Sequence, residues 1–188
     1  MTFPRTSRHA ALALVAAAAL VTITLAAGVA AAANADAPSR VHVTWSNPAD
    51  FTDTKQSPGS GIGRQSPDEW LGELAKYLQR RANGVLAPGQ QLDVTFTDVK
   101  RAGTYEPWRG PQWDDVRIIK DIYPPSIDLQ FTLRDAKGNV VSEGTRKLRD
   151  PAFLSRGIPN QTDPLRFEKR MLDDWLRRDF APASVSRS

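Results

Sequence analysis

The side chains that most often act as nucleophiles, bases or metal ligands are scarce in this chain. Its 188 residues include two histidines and no cysteine, so thiol nucleophiles, thiolate metal sites and disulfides are excluded. His42 is the only histidine outside the N-terminal segment. A serine hydrolase would need it as a base, yet no Gly-x-Ser-x-Gly motif is present, and one histidine without cysteine cannot complete the usual zinc ligand set. We therefore expect no metal site and no cofactor, and we interpret His42 as a polar residue on a sheet face.

Paired carboxylates are the one catalytic arrangement that the composition leaves open. Glycoside hydrolysis requires only an acid and a base or nucleophile whose pKa values differ. The candidate acids lie in loops or beside aromatic residues that could stack on sugar rings: Asp50, Asp53, Asp98, Glu106, Asp114, Asp115 and Asp121. With 21 acidic residues in the chain such neighbourhoods arise by chance, and Asp53 and Asp98 are more simply explained as turn or loop caps. The Asp-x-Asp-x-Asp-Gly spacing of a calcium loop is missing.

Residues 105–113, Tyr-Glu-Pro-Trp-Arg-Gly-Pro-Gln-Trp, have the most unusual composition. Tryptophan, tyrosine and arginine are the residue types that most often anchor binding interfaces, and the prolines make this loop semi-rigid. We therefore take as the candidate binding surface Tyr105, Glu106, Trp108, Arg109, Trp113 and Asp114. Two interpretations stay open. Either the rings contact a partner protein or a glycan, or they fold back over one end of a sheet, because a loop of this length needs packing of its own.

Residues 1–35 have the composition of a signal peptide. Arg5 and Arg8 precede an apolar run from Ala10 to Ala27, and Ala33-Asn34-Ala35 has the small-x-small form of a signal-peptidase site. We expect cleavage near Ala35 and a periplasmic or secreted protein. The alternative is a retained anchor, since the apolar stretch is long enough to cross a bilayer.

Two further classes of partner are disfavoured by charge and motif. The formal net charge is +4, and the two arginines of residues 1–35 account for half of it because no acidic residue lies there. The remaining surplus supplies little attraction for phosphates, so we expect no nucleic-acid partner. The glycine-rich stretch 57–64 lacks the Lys-Ser/Thr ending of a phosphate loop and is interpreted as a surface loop.

The pairs Lys169-Arg170 and Arg177-Arg178 leave peripheral contact with anionic lipids open, although a solvated helix face explains them more simply.

Periodicity predicts the elements of the first half of the domain. Residues 41–45 alternate between apolar and polar, which is typical of a half-buried strand. The polar stretch 49–65 reads as a long loop. Ser66-Pro67-Asp68-Glu69 has the cap, proline and glutamate of a helix start, and Asn83-Gly84 predicts a left-handed stop. A second alternating strand over residues 92–99 slips phase at Asp98, which indicates a bulge.

The second half predicts a hairpin and a closing helix. Alternation over residues 127–133 and 141–148 surrounds a five-residue turn, with a short strand expected within 116–122. Asp163 and Pro164 open a helix that stops near Phe180. The order β-α-β-β-β-α predicts an α+β fold in which about four mostly antiparallel strands carry both amphipathic helices on one sheet face. We expect a single domain over residues 36–183 and a frayed tail over 184–188.

Several short sequence motifs carry a family resemblance that covers nearly the whole chain after the predicted signal peptide. They are Val43-Thr44-Trp45, Phe51-Thr52-Asp53, residues 86–98, Ala102-Gly103, Tyr123-Pro124-Pro125, the hairpin through Gly144, and Leu148-Arg149-Asp150. Together they resemble a bacterial family of exported proteins known as domain of unknown function 3016 (DUF3016). The resemblance implies an envelope location and a single domain, and it brings no activity, ligand or catalytic residue. The leading hypothesis is a non-enzymatic envelope binding or accessory protein, and the alternative is a carboxylate-dependent glycan hydrolase acting on envelope polysaccharide.

Overall fold

The computed structural model describes residues 39–56, 65–157 and 162–180. The predicted signal peptide, the glycine-rich stretch and the tail lie outside these residues. The helices are α1 (Thr52–Gln56), α2 (Pro67–Asn83) and α3 (Arg166–Phe180), and the strands are β1 (Val41–Trp45), β2 (Gln91–Lys100), β3 (Thr104–Tyr105), β4 (Arg117–Ile118), β5 (Ser126–Arg134) and β6 (Val140–Arg149). The predicted α+β class is confirmed.

Four strands form the main sheet in the order β1-β2-β5-β6. The first pair is parallel, and the other two pairs are antiparallel. The register of β2 against β5 shifts between Phe96 and Asp98, so the bulge predicted from the phase slip is present. Strands β3 and β4 pair separately as a two-stranded ribbon, which is shorter than the strand expected within 116–122.

The hydrophobic core lies between the helices and one face of this sheet. On that face Leu92 pairs with Leu133 and Phe96 pairs with Leu129. These side chains form one cluster with the apolar stripes of α2 and α3. Burying amphipathic stripes against an alternating sheet face removes apolar surface from water on both sides at once, which is the main force holding the layers together. None of the helices in the described ranges has the length and apolar composition that crossing a bilayer requires.

The ends of α2 show one correct and one wrong prediction. Ser66 and Glu69 form the predicted capping box, with the Glu69 amide donating to Ser66 Oγ (3.3 Å) and the Ser66 amide to Glu69 Oε2 (2.7 Å). The left-handed stop is wrong, because Gly84 has φ −81° and ψ −15°. Arg40 instead donates from Nη2 to the Asn83 carbonyl (3.2 Å) and so satisfies a terminal acceptor without a left-handed residue.

The polar stretch predicted as an uninterrupted loop contains helix α1. The buried ring of Phe51 precedes it. Asp98, in the bulge of β2, accepts hydrogen bonds from the Thr52 amide (2.6 Å) and from Thr52 Oγ1 (2.7 Å). A carboxylate in this position satisfies free amides at a helix N-terminus. The prediction of a loop failed because the cap comes from another strand, whereas the interpretation of Asp98 as a cap is confirmed.

Candidate functional site

The aromatic loop, defined as residues 101–125, connects β2 to β5 and contains the β3–β4 ribbon. Two short 3-10 turns, Pro107–Arg109 and Pro111–Trp113, lie between the ribbon strands. Each turn begins with a proline, whose fixed φ removes freedom from the chain before any partner binds. Much of the loop is therefore rigid without being regular.

Gly103 closes the base of the aromatic loop. Its amide donates to the Tyr123 carbonyl (2.9 Å), which joins the two ends of the loop. Its φ is +80°, and a Cβ there would lie 2.6 Å from the Ile118 carbonyl oxygen. Only glycine adopts this backbone without strain and at this distance from the neighbouring strand.

A buried ion cluster anchors the loop to α1. Asp53 is 4% exposed. Its carboxylate accepts from the amide and Nε of Arg101 (both 3.0 Å) and from Nη2 of Arg117 (2.9 and 3.0 Å). Arg117 also donates to the Ala102 and Gly103 carbonyls. Two charge-assisted hydrogen-bond partners on one carboxylate hold the start of the loop, through Arg101, and strand β4, through Arg117, against the same helix.

The guanidinium groups of this ion cluster also stack on aromatic rings. Arg101 lies 4.6 Å from the ring centroid of Trp70, and Arg117 lies 4.9 Å from that of Tyr105. Tyr105, one of the predicted surface residues, is half-buried beneath this contact. Stacking of this kind adds cation–π attraction to the ion pairs.

Glu168 of α3 holds the loop from the other side. It is 0% exposed. One carboxyl oxygen accepts from the Ala102 amide (2.6 Å), whereas Oε2 has no hydrogen-bond partner. Burial raises the pKa of this carboxyl, and the nearby negative charge of Asp53 raises it further. The sequence does carry a signal for this residue, because Glu168 falls at helical spacing among the core residues Leu165 and Leu172.

We predict that Glu168→Gln stabilises the protein at neutral pH by about 1–2 kcal/mol, as replacing a buried charge with a neutral group often does. The substitution keeps an acceptor for the Ala102 amide. Unfolded Glu168 titrates near 4.5. Because its pKa is higher in the folded state, folding takes up a proton above that pH, and wild-type stability falls as pH rises towards the folded pKa. Thermal midpoints measured across pH should therefore show an advantage of the variant that widens upward from about pH 4.5. An advantage that does not change with pH would contradict this reading.

Glu106 forms a second cluster beneath the loop tip. Its carboxylate accepts from Lys120 Nζ (2.5 Å) and Tyr123 Oη (3.0 Å), and it lies 3.2 Å from Arg109 Nε. The hydrogen bond from Lys120 lowers the pKa of Glu106 despite the burial that opposes it. The same bond to Glu106 raises the pKa of Tyr123. Glu106 was predicted as part of a surface, but its side chain is buried and supports that surface from below.

The aromatic loop exposes apolar side chains, and those of Trp108 and Trp113 lie on the two 3-10 turns that form the loop tip. Trp108 is 72% exposed, Ile122 66% and Trp113 36%. Of the seven large apolar side chains that are exposed in the described ranges, four lie in this loop, Val116 being the fourth. Arg109 lies over the Trp113 ring at 5.4 Å from its centroid. Of the six predicted surface residues, Trp108, Arg109, Trp113 and Asp114 are exposed.

The basic pairs on the last helix are mostly engaged within the protein. Lys169 pairs with Asp163 (2.6 Å), and Arg170 pairs with Asp150 (2.8 Å). Arg177 pairs with Asp174 on the same helix. Both members of the second pair, Arg177 and Arg178, are exposed, whereas Lys169 and Arg170 are half-buried. Only the second pair thus has the solvated position that the sequence suggested.

Comparison with known proteins identifies a family. A family model described as a protein of unknown function (DUF3016) matches residues 39–178. No curated protein matches the chain. Three of the motifs that carried the resemblance meet at the base of the aromatic loop: Phe51-Thr52-Asp53, residues 86–98 and Ala102-Gly103. Within the described ranges no group of three or more possible ligands is placed to hold a metal ion.

Proposed function

The chain belongs to the DUF3016 family, whose description assigns no activity, and from that premise and the geometry of the aromatic loop we propose a non-enzymatic binding or accessory protein of the bacterial envelope. In this proposal Trp108 and Trp113 anchor a partner protein. The single observation that carries it is the exposure of both tryptophans on a loop whose base is fixed to α1 by the buried Asp53 cluster and whose segments are joined to each other by the buried Glu106 cluster.

Exposure of these rings is unfavourable unless something covers them. A buried aromatic side chain gains roughly 25 cal/mol for each Å² of apolar area removed from water. The chain buries Trp70 and Trp175 almost completely, so its core accommodates tryptophan where packing is the role. Four of the seven exposed large apolar side chains of the described residues lie in this one loop, and concentrated apolar exposure is typical of an interaction site.

The rigidity of the loop favours recognition over incidental exposure. Asp53 ties two segments of the loop to α1, whereas Glu106 joins segments of the loop to each other, and both carboxylates are buried. A preorganised loop loses less conformational entropy when it binds, so more of the contact energy appears as affinity. This arrangement favours a surface that holds its shape without the partner.

The geometry of the rings favours a protein partner over a glycan. Sugar rings stack on a free aromatic face, whereas Arg109 lies over one face of Trp113. Trp108, which is 72% exposed, is suited to enter an apolar pocket of a partner, as hot-spot tryptophans do.

The alternative of a glycan hydrolase receives no such support. A general acid in that reaction needs a raised pKa near the operating pH. Glu106, the buried carboxylate of the aromatic loop, has a lowered pKa because Lys120 donates to it. The carboxylate with a raised pKa, Glu168, is 0% exposed and interacts with the loop backbone. The envelope location in the proposal rests on the composition of residues 1–35.

Site-specific photocrosslinking tests the proposal in intact cells. A photoreactive amino acid at position 108 is expected to yield an adduct with one envelope protein. The same amino acid at position 154, where Leu154 is also exposed but lies outside the loop, serves as the matched control and should not yield that adduct. No adduct from position 108, or the same adducts from both positions, would contradict the proposal, and an adduct with polysaccharide would favour a glycan ligand instead.

A further inference from the structure

Strand β6 forms one edge of the main sheet and pairs only with β5 in the described part of the chain. It is ten residues long, twice the length of β1 at the other edge. Both Val140 and Val141 at its start are exposed. A long edge strand presents a row of amides and carbonyls that can pair with another strand.

Some charged side chains of β6 form ion pairs within the described ranges, and others do not. Arg146 pairs with Asp179 of α3 (2.7 Å), and Arg149 pairs with Asp128 of β5 (2.5 Å). Glu143 and Lys147 are exposed, and no ion pair within the described ranges includes either of them. In the β5–β6 register Lys147 lies opposite Asp128, whose carboxylate pairs with Arg149. The two edge charges without an ion pair in the described ranges are therefore one acid and one base, four residues apart on the same face of the strand.

We propose that β6 pairs antiparallel with β6 of a second copy of this chain, about a two-fold axis at Thr145, so that two four-stranded sheets become one of eight strands. In this register Glu143 lies opposite Lys147 of the second copy, and the symmetry repeats the pair. Thr145 meets itself at the axis. Opposite charges and threonine pairs directly across antiparallel strands are stabilising.

The neighbouring registers are less favourable. If the axis moves to Arg146, two arginines stand directly opposite each other, which is repulsive. Glu143 then faces Arg149, whose guanidinium already pairs with Asp128. If it moves to Gly144, Glu143 faces Thr145 and loses its ion pair. With the axis at Thr145, Arg146 faces Gly144 of the second copy, and its guanidinium stays over Phe131 and paired with Asp179 in its own chain. The register of β6 against β5 is regular from Ser142 to Arg149, so the stretch that would pair has no bulge to interrupt it.

The same charges admit a simpler reading, in which they protect the edge against association. Charged side chains do guard edge strands in many proteins. Guards of a single sign repel a second copy in every register. Here the free charges have opposite signs and lie symmetrically about Thr145, so self-pairing satisfies both. Because the two signs are opposite, this arrangement favours an isologous interface over a guarded edge.

Charge reversal tests both the interface and its register. Glu143→Lys leaves two lysines facing each other across the axis, and Lys147→Glu leaves two glutamates. Each variant alone is expected to dimerise roughly tenfold more weakly than wild type or worse, because two attractive cross-strand pairs become repulsive. An equimolar mixture of the two variants restores both attractive pairs and should form a heterodimer with wild-type affinity.

Sedimentation equilibrium of the purified protein, over a wide range of concentrations, measures these constants. The wild type should dimerise, the single variants should do so more weakly, and the mixture should recover. A monomeric wild type, single variants that dimerise as well as wild type, or a mixture that does not recover would each overturn the proposal. Circular dichroism of each variant checks that the fold is intact. Recovery of dimerisation in the mixture is independent evidence that both variants are folded.

Discussion

Replacing Asp53 with alanine is expected to lower the free energy of unfolding by about 3–5 kcal/mol, the usual cost of removing one partner from a buried ion pair. Arg101 and Arg117 would then keep their charges in a site where their side chains are only 13% and 16% exposed. The Arg101 amide would also lose its acceptor. Because both arginines hold the base of the aromatic loop, we expect the loss of stability to be largest at the loop base.

Urea denaturation measures this loss, and Asp50→Ala is the matched control. Asp50 precedes α1 and pairs with Lys55 at 3.6 Å, but both side chains are well exposed. Exposed pairs contribute little, so the control should change stability by less than about 1 kcal/mol. Equal effects from the two substitutions would mean that the cluster around Asp53 does not anchor the loop.

The double substitution Trp108→Ala with Trp113→Ala is expected to weaken partner binding by roughly a hundredfold or more, since hot-spot residues each contribute about 2 kcal/mol or more. The free energy of unfolding should change by only about 0.5 kcal/mol, as is usual for exposed positions. Affinity for the protein captured from position 108 and the denaturation midpoint are measured on the same preparation.

Two single substitutions bracket this result. Leu154→Ala removes an exposed apolar side chain outside the loop and should affect neither quantity. Trp175→Ala removes a ring from the core and should cost about 3–5 kcal/mol of stability. If the double variant of the loop loses stability as the Trp175 variant does, its tryptophans are packing residues and the binding proposal is wrong.

The sequence predicts the elements whose signals are local. The capping box at Ser66, the alternation of β5 and the bulge near Asp98 each lie within a few consecutive residues, and the structure has all three. Helix α1 was missed because Asp98, which caps it, is 46 residues away from Thr52 in sequence. Local patterns cannot report a contact that only the fold brings together.

The candidate site also has one part that the local sequence predicts and one part that depends on contacts between distant residues. Its composition identifies the loop, but whether the tryptophans point outward depends on what fixes the loop base. That base depends on Arg117 reaching Asp53 across 64 residues and on Ala102 meeting Glu168 across 66. The sequence alone is therefore compatible with two placements of Trp108 and Trp113, packed against the sheet or exposed to solvent.

Hydrogen–deuterium exchange, measured with and without the captured partner, is the most direct test of the claim that the loop tip is the contact surface. The account predicts that binding slows exchange of amides within residues 105–122 and leaves the exposed face of α3 unchanged. Protection that spares these residues and appears elsewhere on the domain would contradict it.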